Sequence, residues 1–211
     1  GAAIAMNSGV IYAESGESAE FDISLHNYGN AAANSLIAEL SSPSEHVAID
    51  NAIIFYGTIM AGTAVVESFP VTIHGTAFDM EDLEFKLTIT DDHDNIWINY
   101  VPVNISGPHL IISDYSSETL PGTTTDLAIS VVNGGSKTAS NFTLEILSYE
   151  NLVNVNAGLV AMDNLSAGSN ILLDGFDLSF NSTIINGSVI PMELILTSSD
   201  GFTRNQIINV T

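Results

Sequence analysis

Along the whole chain, apolar residues recur at every second position in short stretches. Phe21, Ile23 and Leu25 alternate with Asp22 and Ser24, and Leu36, Ala38 and Leu40 alternate with Ile37 and Glu39. Phe69, Val71 and Ile73 follow the same rule, as do Leu83, Phe85, Leu87 and Ile89 against Glu84, Lys86 and Thr88. An extended chain points successive side chains to opposite faces, so each stretch predicts a half-buried strand. Turn-forming residues separate the stretches: Ser15-Gly16-Glu17, Asn27-Tyr28-Gly29-Asn30, Ser41-Ser42-Pro43-Ser44, Ala61-Gly62-Thr63, Gly75-Thr76 and Asp94-Asn95. No segment combines a sustained 3.6-residue period with helix caps. The pattern predicts an all-β chain.

The pattern also repeats itself. At an offset of about 106 residues, Phe21–Gly29 falls on Leu127–Gly135, Ala33 on Ala139, Glu39 on Glu145 and Val47 on Val153. The register holds through Ala61-Gly62-Thr63 on Ala167-Gly168-Ser169. One inserted residue downstream then restores it, with Leu87–Thr90 on Leu194–Thr197. Chance does not keep apolar positions in phase for this long. About seven short strands in about 105 residues is the mark of an antiparallel two-sheet sandwich, so the expectation is two tandem immunoglobulin-like antiparallel β-sandwiches, residues 1–106 and 107–211. Gly107-Pro108 is the expected linker, with Pro108 limiting its freedom. The chain begins Gly1-Ala2-Ala3 without Met or signal peptide, and it ends where the repeat ends. The expectation is a piece trimmed from a longer protein.

Composition narrows the function classes. With 45% hydrophobic residues, and a mean hydropathy of +0.30, the chain is no disordered segment. Against 25 Asp and Glu stand 3 basic residues, Lys86, Lys137 and Arg204, for a formal charge of −22. Phosphate backbones and anionic membrane surfaces are held by clustered Lys and Arg, so nucleic acid is excluded as a partner. No apolar run reaches the length of a membrane-spanning helix, so no membrane insertion is expected. The absence of cysteine removes disulfides, thiolate catalysis and Cys-based zinc sites. The same acidity opposes self-association through strand edges at low salt, and a monomer is expected.

The segments Ile23–Gly29 and Ile129–Gly135 share apolar alternation followed by Asn-x-Gly, then small residues (Ala31, Ala32, Ala33; Thr138, Ala139) and a second strand. In these features the chain resembles tandem bacterial immunoglobulin-like domains of the CARDB (cell-adhesion-related) type. Such domains also follow the catalytic domain in secreted proteins such as gingipain-like peptidases. The resemblance covers nearly the whole chain and carries no catalytic residues. It implies a spacer, adhesion or accessory module outside the cytoplasm, with neighbouring domains, another surface protein or a glycan as partner. In the motif itself, Gly29 and Gly135 are expected to take positive φ, and the Asn side chains to bond backbone groups of the turn.

Candidate chemistry is sparse. Asp91, Asp92 and Asp94, in Asp91-Asp92-His93-Asp94-Asn95, are the candidate calcium ligands, because hard cations take several carboxylate oxygens. The simpler reading is a solvated hairpin turn between strands Leu83–Thr90 and Ile96–Val103, since the loop lacks the Gly and distal Glu of an EF-hand. The repeat's counterpart, Ser198-Ser199-Asp200-Gly201, has lost most of the carboxylates. A second cation reading, at the domain junction, draws on Glu14, Glu17, Asp79, Glu81, Asp82 and Asp200, with ordinary acidic loops as its alternative. No cofactor is otherwise expected. The histidines His26, His46, His74, His93 and His109 are scattered and form no metal box. No Gly-x-Ser-x-Gly elbow occurs, and the expectation is a non-enzyme. Six sequons begin at Asn104, Asn141, Asn164, Asn181, Asn186 and Asn209, in a chain rich enough in Asn, Ser and Thr to produce several by chance. Trp97, Tyr100, Tyr12, Tyr28 and Tyr56 are candidates for a sugar-stacking face, with packing into the core expected for most of them.

Overall fold

A computed structural model describes residues 1–116, 121–199 and 201–211. The chain is all-β, without a helix among the described residues. It divides into two compact units, Gly1–Ser106 and Gly107–Thr211.

The first unit holds ten strands: β1 (Ile4–Met6), β2 (Ile11–Glu14), β3 (Ser18–Asn27), β4 (Ala33–Ser41), β5 (Val47–Ile49), β6 (Ile53–Ile59), β7 (Ala64–Ile73), β8 (Lys86–Thr90), β9 (Ile96–Tyr100) and β10 (Val103–Ser106). They form one antiparallel sheet in the order β1-β3-β7-β5 and another in the order β6-β4-β8-β9, with β10 pairing in parallel to β2. Phe21, Ile23, Leu25, Phe69, Val71 and Ile73 from the first sheet, and Leu36, Ala38, Leu40, Leu87 and Ile89 from the second, belong to one buried cluster. These are the residues whose alternation marked the strands. Phe21 and Phe85 meet edge to face, with centroids 5.3 Å apart, and the buried Tyr56 hydroxyl donates to Ile23 O at 2.9 Å. That hydrogen bond ties β6 of one sheet to β3 of the other. Leu83 and Phe85 are buried as their alternation predicts, yet they precede β8 in irregular backbone.

The second unit holds eight strands among the described residues: β11 (Leu110–Tyr115), β12 (Thr124–Asn133), β13 (Ala139–Leu147), β14 (Val153–Ala157), β15 (Leu159–Leu165), β16 (Asn170–Phe180), β17 (Ile190–Thr197) and β18 (Thr203–Val210). The sheets run β11-β12-β16-β14 and β15-β13-β17-β18, the same order as in the first unit. Their inward residues form a separate buried cluster. Both units exceed the expected seven strands. In the first unit the last strand is divided: β9 stops before Val101-Pro102, and β10 then pairs with β2. Proline has no N–H to continue a ladder. The matching stretch of the second unit has Asn209 at that place, and β18 runs unbroken.

The residue inserted between the repeats has a structural address. Leu127 pairs with Phe176 and Ile129 with Leu173, leaving Ala128 alone opposite Asp174 and Gly175. The corresponding β3–β7 ladder is unbroken from Phe21–Phe69 through Ile23–Glu67. The extra residue is therefore a β-bulge, and Gly175 takes φ 93 within it. A one-residue slip would have turned every later side chain of β16 to the wrong face; the bulge absorbs it locally.

Met80 (φ 56) and Asp94 (φ 60) hold left-handed backbone without being glycine, whereas Gly187 (φ 84) and Gly201 (φ 95) stand at the matching places of the second unit. A Cβ in that region is strained. Met80→Gly is therefore expected to stabilise the first unit by about 0.5–1 kcal/mol, after the greater chain entropy of unfolded glycine is set against the relieved strain. Asp94→Gly should gain less, since Asp tolerates the conformation. Denaturant midpoints of the two variants measure both effects.

Candidate functional site

The acidic hairpin joins β8 to β9 and is largely closed upon itself. Asp91 Oδ1 accepts from His93 N and Asn95 N, both at 2.9 Å, and Asp91 Oδ2 accepts from Asn95 Nδ2 at 2.8 Å. His93 Nδ1 lies 2.6 Å from Asp92 Oδ1. One ligand-type atom from each of Asp91, Asp92 and His93 falls within a 4.8 Å group, and Asp94 is outside that group. Asp94 instead supplies the left-handed residue of the turn, with its N–H donating to Asp91 O. The donors that a calcium ion would replace are thus built into the loop. Of the residues expected at a junction site, Asp200 lies outside the described residues, and Glu81 is engaged within the first unit.

The Asn95 side-chain amide chiefly holds the Asp91 carboxyl below the ordinary carboxylate range; desolvation opposes it, and the Asn95 and His93 backbone amides and the nearby His93 ring add to the lowering. A carboxyl depressed in the folded state stabilises the hairpin above its unfolded pKa, and the contribution is lost as pH falls through the lower, folded value. The Asp91 carboxyl resonance is expected to titrate below the ordinary aspartate range, and Asn95→Ala to move its midpoint upward. An unchanged midpoint in Asn95→Ala would assign the shift to another cause.

A second cluster escaped the sequence reading. His46 Nδ1 lies 2.8 Å from Thr76 Oγ1, and His46 Nε2 lies 3.6 Å from Glu81 Oε1. Glu81 Oε2 accepts from Phe78 N at 3.1 Å, and His46 O accepts from His74 N at 2.8 Å. The cluster fastens the long β7–β8 connection to the approach of β5. Residues 46, 76 and 81 share no sequence motif, because only the sheet brings them together.

The aromatic residues do not share a face. Tyr56 is buried, and burial, with help from Glu67, pushes its hydroxyl above the usual tyrosine range. Trp97 packs on the first unit's core, whereas Tyr100, three residues later on β9, is exposed. Tyr12 and Tyr28 are exposed on β2 and in the loop after β3, and Tyr28 lies against the His26 ring at 4.1 Å. Core packing, expected for most of the five, holds for two. All six sequon asparagines are exposed.

The most constrained polar groups are the two asparagines of Asn-x-Gly, the buried polar residues of the described chain, each 0% exposed. Asn27 Oδ1 accepts from Ala3 N at 3.2 Å and Gly29 N at 3.0 Å, while Nδ2 donates to Ala31 O at 2.8 Å and Ile59 O at 3.0 Å. Asn133 repeats this with His109 N, Gly135 N, Lys137 O and Leu165 O at 3.1, 3.1, 2.8 and 2.9 Å. Each amide fills its four hydrogen-bonding places, joining the segment that enters the unit, the loop after β3 or β12, and the end of β6 or β15 in the other sheet. The expectation for the glycines needs correction. Neither Gly29 nor Gly135 has positive φ; glycine stands there because a Cβ would lie 2.3 Å from the carbonyl oxygen of Gly1 or Gly107. The expected linker residues Gly107 and Pro108 are buried, and Gly107 O accepts from Ser136 N and Lys137 N.

No family model and no curated protein matches the chain. Among solved structures, it is similar to a protein of unknown function from Porphyromonas gingivalis W83 at 11% identity and TM-score 0.35, over 98% of both chains. It is also similar to the secreted serine protease VesC from Vibrio cholerae (14% identity, TM-score 0.35, 99% of this chain and 50% of that one) and to red sea bream transglutaminase (9% identity, TM-score 0.41, 100% and 31%). At these TM-scores the likenesses decide nothing about function.

Proposed function

We propose that the chain is a pair of immunoglobulin-like sandwiches of the CARDB type, serving as a non-catalytic structural or adhesion module of a larger secreted or cell-surface protein. The observation that carries this reading is the duplicated asparagine knot. A unit that spaces or presents its neighbours must keep its entering segment from peeling away. Here that segment is bonded through one buried amide to both sheets, at Ala3 in the first unit and His109 in the second. Load on the segment then meets its bond to an amide whose three other hydrogen bonds fix it to the neighbouring loop and the opposite sheet.

Pulling the chain between its ends in a single-molecule instrument tests the reading. Two separate unfolding steps of similar contour length are expected, each at a force that falls when Asn27 or Asn133 of that unit is replaced by Ala. Unfolding at negligible force, or forces indifferent to both replacements, would remove the mechanical argument.

The alternative, a glycan- or calcium-binding accessory module serving an attached hydrolase, has the Asp91, Asp92, His93 group in its favour. Ligand bound only to the folded state must raise the melting temperature. A rise with calcium that disappears in Asp91→Asn favours the accessory reading, and a flat response, with no retention on glycans, favours the spacer.

A further inference from the structure

The outer face of the β6-β4-β8-β9 sheet is apolar where the fold does not require it. Phe55, Ile53, Ile37, Ile96, Ile98 and Tyr100 point away from the core, each between 41% and 63% exposed. Strand register places them side by side: Phe55 is opposite Ile37, which is opposite Thr90, which is opposite Ile96. The next row is Ile53, Glu39, Thr88 and Ile98, and the third brings Ser41, Lys86 and Tyr100 together. The same places in the second unit hold Ala161, Leu159, Thr143, Thr203, Asn205 and Ile207, mostly small or polar. Two copies of one architecture thus differ on this face, so folding alone does not explain the apolar one.

We infer that this face is where a second copy of the chain docks, sheet face to sheet face about a two-fold axis. Two charged residues interrupt the apolar surface, Glu39 on β4 and Lys86 on the adjacent β8, one row apart. A two-fold axis lying in the contact plane across their midpoint sets each Glu39 over the other copy's Lys86, giving two reciprocal ion pairs within apolar surroundings. Lys86 is one of 3 basic residues against 25 acidic ones, and its ammonium makes no ion pair among the described residues. The second unit has Glu145 and Glu193 at these places and cannot pair with itself in this way. Six large side chains open to this extent leave on the order of 600 Å² of apolar surface on one face, close to the roughly 800 Å² per partner of a standard interface. The charge of −22 argues for a monomer only if it is evenly spread, and this face carries one charge of each sign. Repulsion from the rest of the surface is long-ranged and falls as salt shortens the screening length.

Sedimentation of the whole chain over a concentration series, at about 0.15 M and about 0.5 M salt, tests this. The expected result is a species of twice the 22.3 kDa chain mass, favoured by higher salt. Ile98→Glu is expected to abolish it, while Ile207→Glu, at Tyr100's counterpart in the second unit, leaves it intact. Lys86→Glu, which installs the second unit's own residue, should weaken the dimer by about tenfold or more, and adding Glu39→Lys should restore it. Melting curves establish that each variant is folded. A monomer at every salt and concentration overturns the inference, as does a dimer indifferent to Ile98→Glu or a double swap that fails to restore association.

Discussion

Asn27→Ala is expected to destabilise the first unit by about 3–5 kcal/mol and to leave the unfolding of the second in place. The side chain is wholly buried, and its removal strands two N–H donors, at Ala3 and Gly29, and two carbonyl acceptors, at Ala31 and Ile59. An unsatisfied buried polar group costs about 1–3 kcal/mol; the bond to Ile59 O is buried and the other three are partly so, which places the summed loss at a few kcal/mol. Asn133→Ala should do the same to the second unit, because its partners are the same four positions of the repeat. A melt that is cooperative in the parent should separate into two transitions in either variant, since the buried clusters are distinct. Asn27→Asp sharpens the test. Its carboxylate still accepts from Ala3 and Gly29 but faces the Ala31 and Ile59 carbonyls with no proton to donate. Burial and those carbonyls raise its folded pKa above the unfolded value of about 3.9. Its stability is then greatest below pH 4 and is lost as pH rises through the folded pKa. A variant equally stable at pH 3.5 and pH 7 would refute this account of the knot.

Gly135→Ala is the second large effect, at about 2–4 kcal/mol. The new Cβ would lie 2.3 Å from Gly107 O, 2.6 Å from His109 N and 2.8 Å from Pro108 C, all backbone atoms. No side-chain rotation relieves such a contact; the entering segment must move and give up the bonds from Gly107 O to Ser136 N and Lys137 N. Gly29→Ala repeats the clash against Gly1, Ala2 and Ala3. Gly168→Ala separates packing from conformation, because its φ is 72 and nothing lies within 4 Å of its Cβ position. The left-handed backbone alone should cost about 1–2 kcal/mol there. If Gly135→Ala proves milder than Gly168→Ala by chemical denaturation, the close approach is not what requires glycine at 135.

The strands were legible because a half-buried strand writes its inward face into every second residue. Phe21, Ile23, Leu25, Phe69, Val71 and Ile73 are buried as their alternation predicts. The repeat was legible because the same inward faces recur in phase, and even the inserted residue showed as a shift of register, later located at the Gly175 bulge. Less was readable where a side chain's partners lie far along the chain. Asn-x-Gly marked a turn, but the bond from Asn27 to Ile59 in the opposite sheet spans 32 residues and left no local trace. Glycine at 29 and 135 was misread as a φ requirement for the same reason, since the obstructing atoms belong to the entering segment. The outer face of β6 and β9 did leave a sign, in the run Ala52–Tyr56 and in Ile96, Trp97, Ile98, where apolar residues occupy both faces of a strand.

From residue types and their spacing alone come the all-β character, the duplication and the absence of cysteine chemistry, because each depends on local pattern or on simple counts. Tertiary structure alone decided that Asp94 turns the backbone outside the Asp91, Asp92, His93 group, that Tyr56 is core while Tyr100 is surface, and that one buried asparagine ties each unit together. Those outcomes depend on which atoms converge once the sheets pair, and convergence across tens of residues is a property of the packed chain that no neighbouring residues encode.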